Sequence, residues 1–191
     1  MSKTKFGLLN EPAVAIILKE LVRRSMMEIR KKRSNFIVHE KTLSSGKKDI
    51  FTDADIAAEK VILRSLKECF PYFDIISEED NIKKYLKSKN NLWVTVDPLC
   101  GTGNFSNKSS GGIATTISMV INGEIVSSYV GNVMTQEIFG YRQGSDNVYR
   151  IREFETYEKI KSEIKHPSEW PLLIRGTLDE FPEDTRPMVD T

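Results

Sequence analysis

Two cysteines, two histidines and two tryptophans are all that these 191 residues hold of those types. Cys69 and Cys100 supply no disulfide framework, and so sparse a use of thiols fits a reducing, cytoplasmic setting. His39 and His166 stand alone in the sequence, which supports neither a zinc cluster nor a histidine-based triad. No apolar run approaches about 18 residues, so no membrane span is expected. The opening "MSKTKFGLLNEP" lacks the apolar stretch and cleavage site of a signal peptide. An excess of one charge is missing too: 28 Lys and Arg against 27 Asp and Glu leave a net charge of +1. No global field then draws the chain to nucleic acid or to an anionic membrane, and neither is expected as a partner. There is no internal repeat, no Walker loop and no G-x-S-x-G elbow. A dinucleotide fingerprint fails as well, because Gly101-x-Gly103 is followed by Ser106 instead of a third glycine.

What is there is ordinary globular material, 39% hydrophobic and 29% charged, enough for one good core or one domain and part of another. Pro12 opens an amphipathic helix over 12–33, with Val14, Ile17, Leu18, Leu21, Ser25 and Ile29 on one side. Its closing run Arg30, Lys31, Lys32, Arg33 reads as a solvated helix end whose cations suit the dipole, in preference to a nucleic-acid patch. Residues 39–50 have loop or hairpin composition. A second helix over 53–70 sets Ile56, Leu63, Leu66 and Phe70 on one face, with Cys69 as a small buried hydrophobe. A short strand over 73–76 leads to Ser77, a candidate helix cap, and 81–91 reads as a solvated helix-and-loop excursion. From residue 92 the pattern turns to β: a strand over 92–96, then a hairpin of 112–121 and 124–133 turning at Asn122-Gly123. Strands over 136–142 and 147–151 follow, then a helical pattern over 154–165, a strand over 171–176 and an irregular acidic tail. The expected fold is layered α/β, an early helix pair on a largely antiparallel sheet.

Three acidic clusters, "TDAD" (52–55), "SEED" (77–80) and "DPLC" (97–100), fall at element boundaries, where side chains reach a shared cleft. Singly, each has a plain structural reading: Asp53 caps the second helix, Glu78 and Glu79 sit in a first helical turn, Asp97 starts a turn before Pro98. Converging, they would bind a hard divalent cation such as Mg²⁺ through oxygen. "GTGNF" adds an anion site if Gly101, Thr102 and Gly103 open a helical turn, with the Thr102 hydroxyl placed to orient a water. Carboxylates for a metal beside amides for a phosphate suggest metal-assisted phosphoryl transfer to water.

The ordered set "TDADIAAEK", "IISEED", "WVTVDPLCGTGNF" resembles the inositol monophosphatase family of Mg²⁺-dependent phosphatases. That family pairs an acid-bearing helix start with a Glu-Glu pair after a short strand and a strand ending in Asp-Pro-(Ile/Leu)-Asp-Gly-Thr. The resemblance implies a sandwich like that of inositol monophosphatase and fructose-1,6-bisphosphatase. It also implies metal ligation by Glu78, Asp97 and the Leu99 carbonyl, with Glu79 as a further or supporting ligand. Thr102, supported by Asp55, would position the attacking water, with Glu78 also counted among the catalytic groups. The amides of Gly101, Thr102 and Gly103 would hold the phosphate. The implied activity is hydrolysis of a small phosphorylated polyol, sugar or nucleotide with Mg²⁺ as cofactor, by a homodimer. The alternative is an impaired member serving as a phosphate-ligand sensor or assembly protein.

Two departures qualify the resemblance. The family's second motif aspartate, a metal ligand, falls on Cys100, and a thiol is a poor donor to Mg²⁺. The outcomes are a one-metal site, a softer metal, or loss of turnover. The family's later Trp-Asp pair is also absent, since Trp170 is followed by Pro171. The expectation is therefore a metal- and phosphate-binding domain over 1–152 and a C-terminal domain cut short over 153–191. Gly111-Gly112, where relatives carry bulkier residues, is expected to alter the cleft rim.

Overall fold

The structure is a computed structural model that describes residues 10–42, 46, 48–78, 91–145, 148–152 and 158–160. Helix α1 (Glu11–Lys32) starts where the Asn10 side chain accepts the Ala13 N–H at 2.9 Å, with a proline in its first turn. Its buried side is Val14, Ala15, Leu18, Leu21, Val22, Ser25, Met26 and Ile29, the expected 3.6-residue stripe. After the hairpin β1 (Val38–Thr42) and β2 (Lys48–Thr52) comes α2 (Asp53–Cys69). The strands β3 (Asp74–Ser77), β4 (Leu92–Cys100), β5 (Ala114–Ile121), β6 (Glu124–Asn132), β7 (Glu137–Arg142), β8 (Val148–Arg152) and β9 (Glu158–Ile160) form one sheet in chain order. Between β4 and β5 lies the one-turn helix α3 (Thr102–Ser106).

Only β3 and β4 run parallel, and the remaining pairs are antiparallel, as the sequence pattern implied. Asn122 and Gly123 both take positive φ, 53° and 84°, the turn whose twist matches that of the strands. Both helices pack against one face of the sheet, with Leu18, Val22, Ile29, Ala58, Ile62, Leu66, Val94, Ile117 and Met119 wholly out of solvent. Each such aliphatic side chain contributes roughly 1.5–3 kcal/mol by leaving water.

Several expectations are corrected. The buried stripe of α2 is Ala54, Asp55, Ala58, Ile62 and Leu66, and Ile56 is 46% exposed. The start of the helix lies close to its neighbours, so the small alanines go inward and the bulky Ile56 stays outside. Cys69 is exposed, because the four-residue step from Leu66 leads to Phe70, which fills the core place instead. Ser77 caps no helix: it ends β3, buried, with its hydroxyl on Glu59. Within the expected helix over 154–165, Glu158–Ile160 is a strand on β8, the free sheet edge having overridden a helical sequence pattern. The rest of that helix, the 81–90 excursion and the 171–176 strand lie outside the described residues.

Candidate functional site

The corner between β4 and α3 is built on one extra residue. From Asp97 to Cys100, β4 takes three steps while β5 takes two, Thr116 to Ala114. This is a β-bulge, with the buried Pro98 inside it, and a residue without an N–H is at home there. The bulge reverses the alternation of side chains. Asp97 and Cys100 end on the same face, opposite to Val94, Val96 and the buried Leu99. Glu78 joins them, because its N–H continues the β3–β4 ladder to the Val96 carbonyl at 3.1 Å. Glu78 is thus not in a helical turn, and Asp97 sits within a strand instead of starting a turn.

This side of the corner is strongly acidic. Cys100 is exposed as a residue, but partial burial of its thiol together with the nearby charges of Asp97 and Glu78 pushes it up to about 11. The Asp97 oxygen Oδ1 is buried and has no hydrogen-bond partner among the described residues. Among the described residues no three acidic, cysteine or histidine side chains converge as a complete metal-holding group. Glu79 lies outside those residues.

The helix side of the corner is saturated. Thr52, not Asp53, caps α2 and accepts the Ala54 N–H at 3.2 Å, while Asp55 three residues on accepts the Thr52 N–H at 2.8 Å and hydroxyl at 2.6 Å. The free oxygen of Asp55, Oδ1, accepts the Thr102 hydroxyl at 3.0 Å, and the Leu99 carbonyl is a second acceptor for that hydroxyl at 3.1 Å. Asp55 is 1% exposed, and burial raises its carboxyl above the ordinary value although the Thr52 and Thr102 bonds pull the other way.

Gly101, Thr102 and Gly103 do open a helical turn. Gly101 takes φ +88°, and a Cβ there would stand 2.0 Å from the Gly112 carbonyl oxygen, so only glycine fits. At Gly103 a Cβ would meet nothing within 4 Å. The first-turn amides of a helix have no partner within it.

The basic last turn of α1 carries the expected cations, with Arg30 and Lys31 exposed, but Lys32 and Arg33 do more than meet solvent. Arg33 grips α3 by donating to the Phe105 carbonyl at 3.0 Å and to the Ser109 carbonyl, its guanidinium 5.2 Å from the Phe105 ring centre. Lys32 pairs with Asp53 at 2.8 Å, and Arg30 donates to the Val133 carbonyl at 3.3 Å. Asp53 also accepts the Ile37 N–H at 2.9 Å. Sequence reasoning missed Arg33 and Thr52. The Thr-x-x-Asp spacing advertised the second, and nothing local advertised the first.

The model of the inositol monophosphatase family matches residues 11–173. Nus factor SuhB of Xylella fastidiosa is 28% identical over 144 residues, covering 75% of this chain and 50% of that protein. Inositol monophosphatase 1 of Rattus norvegicus is 29% identical over 104 residues, covering 53% and 37%. The crystal structure of the extragenic suppressor protein suhB from Bartonella henselae superposes with a TM-score of 0.63 at 25% identity, covering 72% of this chain and 52% of that one. The chain spans about half the length, or less, of the curated relatives it matches. With the fold, the ordered motifs and the family match in agreement, this chain belongs to the inositol monophosphatase family.

Proposed function

We propose that the β4–α3 corner is the site of a Mg²⁺-dependent phosphomonoesterase acting on a small phosphorylated polyol, sugar or nucleotide, in a cytoplasmic homodimer. The carrying observation is the 3.0 Å bond from Thr102 to the buried Asp55, standing one loop away from the unpartnered Asp97 oxygen. Thr102 gives its proton to Asp55, so its oxygen is left as an acceptor aimed by a fixed partner, which is what holding a water for attack requires. Burial makes Asp55 the stronger base for that proton. The amides of Gly101, Thr102 and Gly103 would take the phosphate oxygens, over a surface that Gly103 leaves open.

Glu78, Asp97 and the Leu99 carbonyl would hold Mg²⁺, and the orphaned Asp97 oxygen is the kind of buried acceptor that a cation satisfies. Glu79 is proposed beside them on the resemblance alone. Bound there, Mg²⁺ supplies a water of lowered pKa and neutralises charge on the phosphoryl oxygens. Cys100 does not fit this donor set, since its sulfur is softer than the oxygen donors that Mg²⁺ prefers. Phosphate release from a panel of such esters, with and without Mg²⁺, tests the reading, and a wild-type chain without metal-dependent turnover would sink it. Ester binding measured by calorimetry in the absence of turnover would leave the sensing role standing instead.

A further inference from the structure

Two polar residues interrupt otherwise apolar buried runs, and they meet each other. Ser25 is the one polar side chain on the buried face of α1, and Thr115 the one in the inward run Ile113, Thr115, Ile117, Met119 of β5 and its approach. Both are 0% exposed, and their hydroxyl oxygens lie 2.9 Å apart. Burying two hydroxyls among aliphatic side chains costs free energy unless the protons are used. Here they are aimed at the bulge. Thr115 is the single β5 residue opposite the extra residue of β4, and its hydroxyl reaches the Asp97 carbonyl at 3.4 Å. Ser25 reaches the Pro98 carbonyl at 3.5 Å. Two hydroxyls carry two protons: one makes the 2.9 Å bond within the pair, and the other meets one of these two backbone oxygens, weakly at such a length, at the point where the register shifts.

We propose that Ser25 and Thr115 are positioning residues for the candidate site, holding the β4 bulge so that Asp97 and Cys100 share the face of Glu78 while the Leu99 carbonyl turns toward Thr102. Without the bulge, strand alternation would put Cys100 on the opposite face from Asp97. The pair touches neither phosphate nor metal, and acts through the backbone between Asp97 and Gly101. Its effect on turnover rests on the phosphatase reading; its effect on the bulge does not.

The experiment compares the full chain with Ser25→Ala, Thr115→Val, the double variant and Thr115→Ser. Amide hydrogen exchange around Cys100, thermal midpoint, and kcat and KM with Mg²⁺ and a phosphate ester are measured for each. Either single change leaves one buried hydroxyl short of its partner, whereas the double change removes both, so the double variant's midpoint should lie nearer wild type than the singles'. A purely structural role predicts that exchange and turnover recover with it. The positioning role predicts that they do not: exchange around Cys100 quickens about tenfold or more and kcat falls by about tenfold or more in the double variant, while Thr115→Ser behaves as wild type. A double variant with wild-type exchange around Cys100 overturns the proposal. If wild type turns over no ester at all, the phosphatase reading falls while exchange alone still decides the role of the pair.

Discussion

The two sides of the β4–α3 corner differ in how far they are finished. On the helix side, Thr52, Asp55 and Thr102 close a network in which both Asp55 oxygens are used, so its geometry is set by the protein alone. On the sheet side, Glu78 and Asp97 concentrate negative charge around the Cys100 thiol, and one buried oxygen is left without a donor among the described residues. A saturated network is rigid before any ligand arrives, whereas an unsatisfied buried acceptor carries a cost that a cation would remove. The corner thus pairs a preorganised half with a half that keeps an unsatisfied buried acceptor among the described residues.

Breaking the finished half should have the largest effect. Thr102→Val and Asp55→Asn are each expected to lower kcat by about 10²-fold or more with Mg²⁺ saturating, read by phosphate release. Asp55→Ala should in addition cost about 2–4 kcal/mol of stability in denaturant titrations, since it strands the buried Thr52 N–H and hydroxyl, while the Thr102 hydroxyl keeps the Leu99 carbonyl.

The loop between the halves offers a matched pair of substitutions. Gly101→Ala must move the Gly112 carbonyl and adopt a strained φ, for an expected loss of about 2–3 kcal/mol or more, whereas Gly103→Ala finds open space and should change stability by less than about 1 kcal/mol. If the Gly103 surface receives phosphate, Gly103→Ala nevertheless weakens inorganic phosphate binding by calorimetry. Unchanged binding would remove Gly103 from the site.

Cys100→Asp sharpens the contrast on the unfinished side. With Asp97 and Glu78 already near, a third carboxylate should lower the thermal midpoint in chelator and raise Mg²⁺ affinity about tenfold or more. A midpoint indifferent to Mg²⁺ in this variant would count against a cation at this place.

The smallest effects are acid–base ones, and they have opposite signs for two neighbours. Asp55 is held above the ordinary 3.8 by burial, so the unfolded chain ionises first. The stability linked to Asp55 then declines as pH rises from 3.8 to its folded value and levels off beyond it. Asp53 lies below 3.8: burial pushes it up, but Lys32 and the Ile37 N–H outweigh that. Its contribution is full above 3.8 and is lost as pH falls through the folded value. Denaturant midpoints across the acid range should lose the first slope in Asp55→Asn and the second in Asp53→Asn. The second change stays under about 1 kcal/mol, because the Lys32–Asp53 pair is 40% and 24% exposed.

Much of this was legible in the residue order. The α1 stripe, the Asn122-Gly123 hairpin and the glycine-led turn at 101–103 follow from periodicity and backbone preference, which are local properties. The bonding of Thr102 to Asp55 was anticipated only through the family resemblance, since 47 residues separate them. On α2 the reading placed Leu66 and Phe70 in the core and Leu63 against it, and erred at Ile56, which stays outside while Ala54 and Ala58 go inward. The grip of Arg33 on α3 was invisible because its acceptors are backbone carbonyls 72 and 76 residues away.

By itself, the sequence determined which residues are candidates for the chemistry: carboxylates at element ends, a threonine between glycines, and a cysteine three residues after Asp97. Only the tertiary structure decided that Asp97 and Cys100 face the same way. Alternation along a strand is a local rule, but a one-residue bulge is settled against the partner strand, here with Thr115 of β5 standing opposite the extra residue.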